Sequence, residues 1–320
     1  MAAPASPTPR DTVTTTSPRL PAPTGRRISG KVWGALAIVY VVWGSTYLGI
    51  RIAVETMPPF LSAAGRFVVA GLVLAGIVAW RRGLSALRVT RAQLASAALI
   101  GVLLLLGGNG MVVLAETSIP SGLTALLIAV VPAWVVLLRA ASGERPSAAT
   151  VGGVLIGIVG LAVLTVPGLS GDVRLGGVLL VVAATVSWSV GSFSSGKLSM
   201  PADPFTASAY EMIAGGIGCL LVGLVRGEQR GLDLGAVSTR SWLAFAYLVV
   251  FGSLVAFTAY AWLLLTAPLS LVATYAYVNP VVAVLLGSLV LGEALSWPIV
   301  LGGAVVVVGV CLIVTTERRR

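Results

Sequence analysis

The sequence predicts an all-α membrane protein of ten transmembrane helices, arranged as two inverted five-helix halves. Three observations carry this reading. Of the 320 residues, 57% are hydrophobic and 10% charged, with a mean hydropathy of +1.00, whereas a soluble domain carries about 25% charged residues. The apolar residues fall into blocks of the roughly 20 residues that a bilayer-crossing helix needs. The chain also matches itself at an offset near 145 residues.

Taken in order, residues 1–30 are rich in Pro, Thr, Ser, Ala and Arg without apolar periodicity, and read as a disordered tail. The next apolar run is too long for a signal-peptide core and lacks a small-residue cleavage site, so it is an uncleaved first span. The predicted spans are 32–54, 59–80, 93–115, 119–140, 148–167, 176–197, 205–226, 241–264, 268–290 and 296–316. They group as a tail (1–30), a first repeat (31–167) and a second repeat (176–316).

The net charge of +10, from 21 Lys and Arg against 11 acids, would suggest nucleic acid in a soluble domain. Here the bases sit in tails and loops, where membrane topology explains them. An even number of spans puts both termini on one side. That side collects Arg10, Arg19, Arg26, Arg27 and Lys31, then Arg81, Arg82, Arg88 and Arg91, then Arg139 and Arg145, and finally Arg318–Arg320. The positive-inside rule assigns it to the cytoplasm. The loop with Arg226, Arg230 and Arg240 dissents, with three bases against fourteen.

At an offset of 145, Trp43 falls on Trp188, Pro59-Phe60 on Pro204-Phe205, and Arg66 on Glu211. At 148, Pro120 and Pro132 fall on Pro268 and Pro280; at 149, Gly143-Glu144, Gly153 and Gly160 fall on Gly292-Glu293, Gly302 and Gly309. Five spans per copy is an odd number, so the second copy is upside down relative to the first, an architecture of many secondary transporters.

The stretches Trp43-Gly44-Ser45-Thr46-Tyr47, Gly108-Asn109-Gly110-Met111 with Ala115-Glu116, Pro120-Ser121-Gly122 and Tyr275-Ala276-Tyr277-Val278-Asn279-Pro280 resemble the drug/metabolite transporter (DMT) superfamily, EamA family. Within it they are similar to the YedA-like bacterial inner-membrane transporters, over about residues 32–316. The resemblance implies two EamA repeats, a multi-pass protein of the bacterial inner membrane, and transport of small metabolites or drugs, usually outward as efflux. It does not imply one substrate.

Polar groups inside spans are expensive, about 2.5–3.5 kcal/mol for an Arg or Asp at mid-helix. Tyr40, Trp43, Tyr47 and Arg51 are spaced 3, 4 and 4 along one helical face. Such a stripe suits a cavity that holds an amphiphilic solute by stacking, cation–π contact and charge; core packing with Arg51 as an interfacial anchor is the competing reading. Arg66 lies seven residues past Pro59, roughly 10 Å into its span, and with Arg51 is a candidate for attracting anionic groups. Its counterpart Glu211 is a candidate proton carrier, or else the partner of Lys197 in a structural ion pair. Asn109 among glycines, and Tyr275 with Asn279 one turn on, offer polar contacts to a solute or a neighbouring helix. Pro132 and Pro280 free the carbonyls of Ile128 and Ala276, which gives a paired gating bend or simply kinked packing. Trp188 with Ser192 and Ser195 repeats the first stripe more weakly. Gly153 and Gly157, with Gly302, Gly303 and Gly309, read as close-packing faces, within the chain or in a homodimer.

Other classes fare less well. Without histidine there is no Ser-His-Asp triad, His-based zinc site or haem His ligand, and no metal or cofactor is expected. Cys219 and Cys311 lie in apolar stretches and read as small core residues. A Ser194/Ser195–Lys197 dyad is weak ground for an intramembrane enzyme. The nucleotide-binding pattern G-x-x-x-x-G-K-[ST] is absent. The expected function is secondary-active export of a small-molecule solute, with a proton as candidate co-substrate; an uptake permease or a lipid flippase or scramblase of the same fold are the alternatives.

Overall fold

A computed structural model describes residues 29–143, 147–165, 174–267, 272, 275–292 and 295–317. The tail up to residue 28, Glu144, Arg145, Pro268, Glu293 and Arg318–Arg320 lie outside the described residues. Among those described the secondary structure is helical, with short turns and no strand.

The first half holds α1 (Gly30–Ala53), α2 (Pro59–Arg82), α3 (Arg91–Gly101), α4 (Met111–Ala115), α5 (Ser121–Ile128), α6 (Val131–Ala141) and α7 (Ala148–Thr165). The second holds α8 (Leu175–Ser195), α9 (Pro204–Val225), α10 (Thr239–Tyr247), α11 (Ala256–Thr266), α12 (Tyr275–Leu291) and α13 (Trp297–Glu317). Among the described residues, seven helical stretches are long and apolar enough to cross a membrane: Gly30–Ala53, Pro59–Arg82, Arg91–Ala115, Ser121–Ala141, Leu175–Ser195, Pro204–Val225 and Thr239–Leu264. Shorter apolar helices cover Val151–Gly160, Val278–Leu291 and Trp297–Gly309.

Two stretches read as plain helix differ from that reading. Val102–Gly110 joins α3 to α4 as a π-helix, and Leu248–Val255 joins α10 to α11 in the same way. The two occupy corresponding places in the halves. Each carries a small-residue pair, Gly107-Gly108 and Gly252-Ser253, at the 145-residue offset. Pi-helical turns are rare, occur mostly as single turns, and concentrate at functional sites.

Local chemistry sets the helix ends. Pro59 and Pro204 open α2 and α9, where a missing N–H costs nothing. Thr90 and Gln93 form a reciprocal capping box at α3, and Asp203 accepts the Thr206 N–H at α9. Gly143 and Gly292 follow α6 and α12 with φ of 94° and 68°, a left-handed conformation that disfavours a side chain. This explains why that glycine recurs in both halves.

Several of the main helix pairs recur when each helix is exchanged for its counterpart. Helix α1 packs on α12 and α11; correspondingly, α8 packs on α5 and α6 and on the first π segment. Helix α3 packs on α9, and the second π segment on α2. The self-paired couples α2/α9 and α7/α13 make the most extensive contacts. In α2/α9, a Cβ on Gly71 would stand 3.0 Å from the Ala209 carbonyl oxygen, and one on Gly216 would stand 2.9 Å from the Val68 nitrogen. In α7/α13, Cβ atoms on Gly160 and Gly309 would stand 2.7 Å from the backbone nitrogens of Val306 and Gly157. Gly160 and Gly309 are therefore packed inside the chain, whereas a Cβ on Gly157 would meet open space.

Helices α2 and α9 run antiparallel, tied at both ends. Arg82 at the α2 C-terminus pairs with Asp203 at the start of α9 (2.7 Å) and lies 5.3 Å from the Phe205 ring centroid. At the other end, the Glu228 carboxylate accepts the Phe60 and Leu61 N–H groups (2.9 and 3.0 Å) and faces Arg226 at 3.7 Å. Arg226 in turn lies 5.7 Å from the Phe60 ring. The Pro-Phe pairs of the sequence repeat are thus the seats of two equivalent clamps.

Because the α2/α9 seam has no room for a methyl group, Gly216→Ala should destabilise by about 1–3 kcal/mol. Gly76→Ala, where a Cβ meets open space, should leave the midpoint of thermal unfolding in detergent unchanged or slightly raised. Equal effects of the two substitutions would show that the seam is not close-packed.

Candidate functional site

Between the halves lies a cavity of about 690 Å³, counting the space in its mouth. Helix α1 contributes Trp43, Thr46, Tyr47 and Ile50; α2 contributes Arg66 and Phe67. The first π segment supplies Leu105, Gly108 and Asn109, and the second supplies Gly252 and Ser253, followed by Phe257. Thr185 and Trp188 come from α8, Ile128 and Val131 from the α5/α6 break, and Tyr275 from α12.

Four rings close the cavity toward the Gly30 end of the molecule. Trp43 meets Tyr260 at 4.8 Å, Tyr275 at 5.3 Å and Trp188 at 5.8 Å between centroids. Tyr260 also meets Tyr275 at 5.9 Å and Trp188 at 6.2 Å. Several of these contacts are edge-to-face, the geometry that aromatic quadrupoles favour. Beneath the floor Val32, Leu36, Val39, Leu263, Val272 and Ala276 form an apolar plug.

Arg66 is the polar centre of the cavity, at 4% exposure. Its Nε donates to Ser253 Oγ at 2.9 Å, its NH1 reaches Asn109 Oδ1 at 3.5 Å, and its guanidinium lies 4.8 Å from the Phe67 ring. Glu116, fully buried at the end of α4, lies within electrostatic reach of both Arg66 and Tyr47. Gly252 makes room for the guanidinium, since a Cβ there would stand 2.9 Å from an Arg66 nitrogen. Its carbonyl accepts the Trp43 indole N–H at 3.3 Å.

Of the residues singled out in the sequence, Trp43, Tyr47, Arg66, Asn109 and Tyr275 meet in this cavity. Tyr40, Arg51, Asn279 and Glu211 stand outside its walls. Arg51 donates to the Glu116 main-chain carbonyl. The Asn279 amide, with its nitrogen so oriented, donates to the Tyr40 and Tyr275 carbonyls at 3.1 Å and fastens α12 to α1. Pro132 stands just after the break between α5 and α6, whereas Pro280 lies inside continuous α12. Glu211 is buried in α9 at 7% exposure. Lys197, its alternative partner, sits 3.9 Å above the Phe193 ring and 3.4 Å from Ser142 Oγ instead.

Sequence reasoning missed Ser253, Thr185, Phe257 and Tyr260. The Gly252-Ser253 match to Gly107-Gly108 was the available signal for the first of these. Among the described residues, no group of three or more Cys, Asp and Glu side chains is placed to hold a metal ion.

A helical chain with several membrane-length apolar spans, two exchange-related halves and one amphiphilic pocket between them defines a polytopic membrane transporter. The chain belongs to the EamA-like transporter family, whose model matches residues 31–166 and again 175–315. It is 39% identical over 269 residues to the inner membrane transporter YedA of Escherichia coli, covering 83% of this chain and 84% of the relative. It is 30% identical over 300 residues to a probable terminal-alkyne amino-acid exporter of Streptantibioticus cattleyicolor, covering 92% and 97%. A solved crystal structure shares the fold, with a TM-score of 0.65 at 21% identity over 92% of this chain and 100% of that one.

Arg66 donates to Ser253 and Asn109 and lies within electrostatic reach of buried Glu116, so removing it takes a donor from two side-chain oxygens and a cation from a buried carboxyl. Arg66→Met should therefore lower thermal stability in detergent, by about 1–3 kcal/mol. An unchanged or raised unfolding midpoint would show that these contacts do not hold the fold.

Proposed function

We propose that the chain is a secondary-active exporter that moves small amphiphilic metabolites or drugs across the bacterial inner membrane by alternating access. The observation that carries this reading is the pocket between the halves, lined by rings, centred on buried Arg66, and backed by the cluster of Trp43, Trp188, Tyr260 and Tyr275. Rings on three sides suit an apolar or aromatic body, and the guanidinium with Asn109 and Ser253 suits a carboxylate or similar anionic group. The relative named as an amino-acid exporter supports both the outward direction and an amino-acid-like solute.

In this reading ten helices span the bilayer as two inverted repeats, the antiparallel α2/α9 pair lies at their junction, and both termini are cytoplasmic. Exposed Trp33 and Trp80 near one end, and Trp242 and Trp297 near the other, fit the two aromatic belts of a membrane protein. The dissenting loop keeps its three bases, because neighbouring acids count little in the positive-inside rule, and is outweighed by the fourteen on the other side. With this orientation the four-ring floor shuts the pocket from the cytoplasm. Trp43, Tyr47 and Tyr275 hold the solute, Arg66 and Asn109 orient it, and Arg51, Tyr40 and Asn279 support the walls. Pro132 and Pro280 mark the bends that move. Glu211 carries the coupling proton.

A thermal-stabilisation screen of the purified protein against amino acids, sugars, nucleosides and cationic drugs tests the pocket. A hit should weaken at least about tenfold in Trp43→Ala, because a buried aromatic contact is worth roughly 1.5–3 kcal/mol. Affinity indifferent to Trp43, Tyr47 and Tyr275 substitutions would move the site elsewhere. For topology, a reporter fused at the start of the chain should lie in the cytoplasm and one inserted between α7 and α8 in the periplasm. Both on one side would overturn the inverted arrangement.

A further inference from the structure

Beneath the pocket floor lies a second group of buried polar side chains. Glu211 is nine-tenths buried and, among the described residues, has no hydrogen bond or ion pair. Ser208, three residues earlier on the same face of α9, is fully buried with its hydroxyl unpartnered. Ser192 Oγ and Trp188 Nε1, both on α8, are also buried atoms without a partner. The Tyr260 hydroxyl lies beside both without closing a hydrogen bond to either, and within electrostatic reach of Glu211. Buried polar groups are nearly always paired, so several unpaired ones around one carboxyl call for an explanation.

The exchange relation of the halves sharpens it. Glu211 and Ser192 are the counterparts, at the 145-residue offset, of Arg66 and Tyr47. The open pocket has a guanidinium where the buried group has a carboxyl. One face of the floor therefore favours an anion and the other a cation. Tyr260 belongs to both, since its ring is part of the floor and its hydroxyl faces the carboxyl side.

We propose that Ser192, Ser208, Glu211 and Tyr260 form a site for one small cation beneath the pocket floor, and that Tyr260 transmits its occupancy to the pocket. This rests on the reading of Glu211 as the coupling carboxyl. With the cation bound, Glu211 is neutralised and the floor stays shut. Without it, a buried carboxylate without donors is costly. Donors left unused on the neighbouring elements are the hydroxyls of Ser208, Ser192 and Tyr260 and the indole N–H of Trp188. Recruiting Tyr260 and Trp188 draws two of the four rings away from Trp43 and Tyr275, and the floor opens. A proton and a sodium ion both suit this oxygen set. The other ionisable groups on neighbouring elements are engaged or distant. Arg66 is on Ser253, Arg82 on Asp203, Lys197 over Phe193, and Tyr210 donates to the Leu87 carbonyl. Arg91 is exposed at the start of α3, and Cys219 lies two turns further along α9, on the Leu105 carbonyl.

The test is maleimide labelling of Ala276→Cys, a buried position beneath the floor, in full-length Cys311→Ser protein in nanodiscs. Rates are taken from acid to alkaline pH in choline buffer, then against sodium at alkaline pH, and normalised to the exposed Cys311 of the parent chain. Labelling should be about tenfold faster without the cation, the ratio that a shift of about 1.4 kcal/mol in the open–shut balance gives. A pH response without a sodium response identifies the proton; suppression by sodium identifies sodium. Glu211→Gln should hold the rate low throughout. Tyr260→Phe, which keeps the ring, and Ser208→Ala should blunt the response while unfolding at the parent temperature. If Glu211→Gln abolishes the response but Tyr260→Phe and Ser208→Ala leave it intact, the site and its link fall while Glu211 keeps its coupling role. If the unsubstituted reporter shows no response to either ion, the coupling role itself falls, and this inference with it.

Discussion

The seam between α2 and α9 is the constraint on which the other features depend. Two helices approach closely enough for glycine Cα atoms to rest on the facing backbone only if both present a glycine at the crossing. Gly71 and Gly216 do so at equivalent places. Dispersion contact and small-residue packing hold helices together in lipid, where apolar burial between helices gains little. The seam is also tied at both ends, by Arg82 to Asp203 and by Glu228 to the first N–H groups of α2. Fixing this pair fixes the facing directions of Arg66 and Glu211, because each lies seven residues after the proline that opens its helix.

From that seam the two polar centres follow, with opposite character. Arg66 reaches side-chain acceptors on both π segments, Asn109 Oδ1 from one and Ser253 Oγ from the other. Glu211 meets none, because the facing stretch of α3 offers backbone at Gly101 rather than donors. One half therefore stabilises its charge and the other leaves it exposed to desolvation. A chain with identical halves could not do this. The difference between arginine and glutamate at one pair of positions, with Tyr47 against Ser192, makes the two sides of the floor chemically distinct within a shared helix framework.

Much of this architecture is legible in the sequence, for a physical reason. Helix starts and stops are written in residues that the backbone requires, such as Pro59 and Pro204 at first helical positions and Gly143 and Gly292 in left-handed turns. These recur in both halves and reveal the repeat. The site is legible only in part. The Tyr40–Arg51 stripe does share one helical face, but it runs roughly 16 Å at 1.5 Å per residue. That is longer than the pocket, so its ends fall below the floor and at the rim. Asn279 has polar groups that neighbouring carbonyls already use. Ser253 escapes a helical wheel because it lies in a π segment, where the hydrogen bond spans five residues instead of four and the facing direction drifts. Tyr260 has no distinctive neighbour in sequence; only its three ring partners, on three other helices, reveal it.

The two halves share a framework but not a conformation, and the prolines show where they part. Around Pro132 the helix breaks, with α5 ending at Ile128 and α6 beginning at Val131, and the break opens directly onto the pocket. Around Pro280 the corresponding helix runs on without interruption, against the closed side of the floor. Asn279, beside Pro280, bonds with its amide nitrogen to the carbonyls of Tyr40 and Tyr275 and so ties α12 to α1 on that side. Its counterpart at the 148-residue offset is Val131, which has no side-chain donor to do the same. A framework whose main helix pairs recur on exchange admits, in principle, the converse arrangement. Departures from symmetry such as Asn279 against Val131 then set which arrangement is favoured. Under the proposed function, the energy separating them must be small enough for solute and cation to reverse the balance.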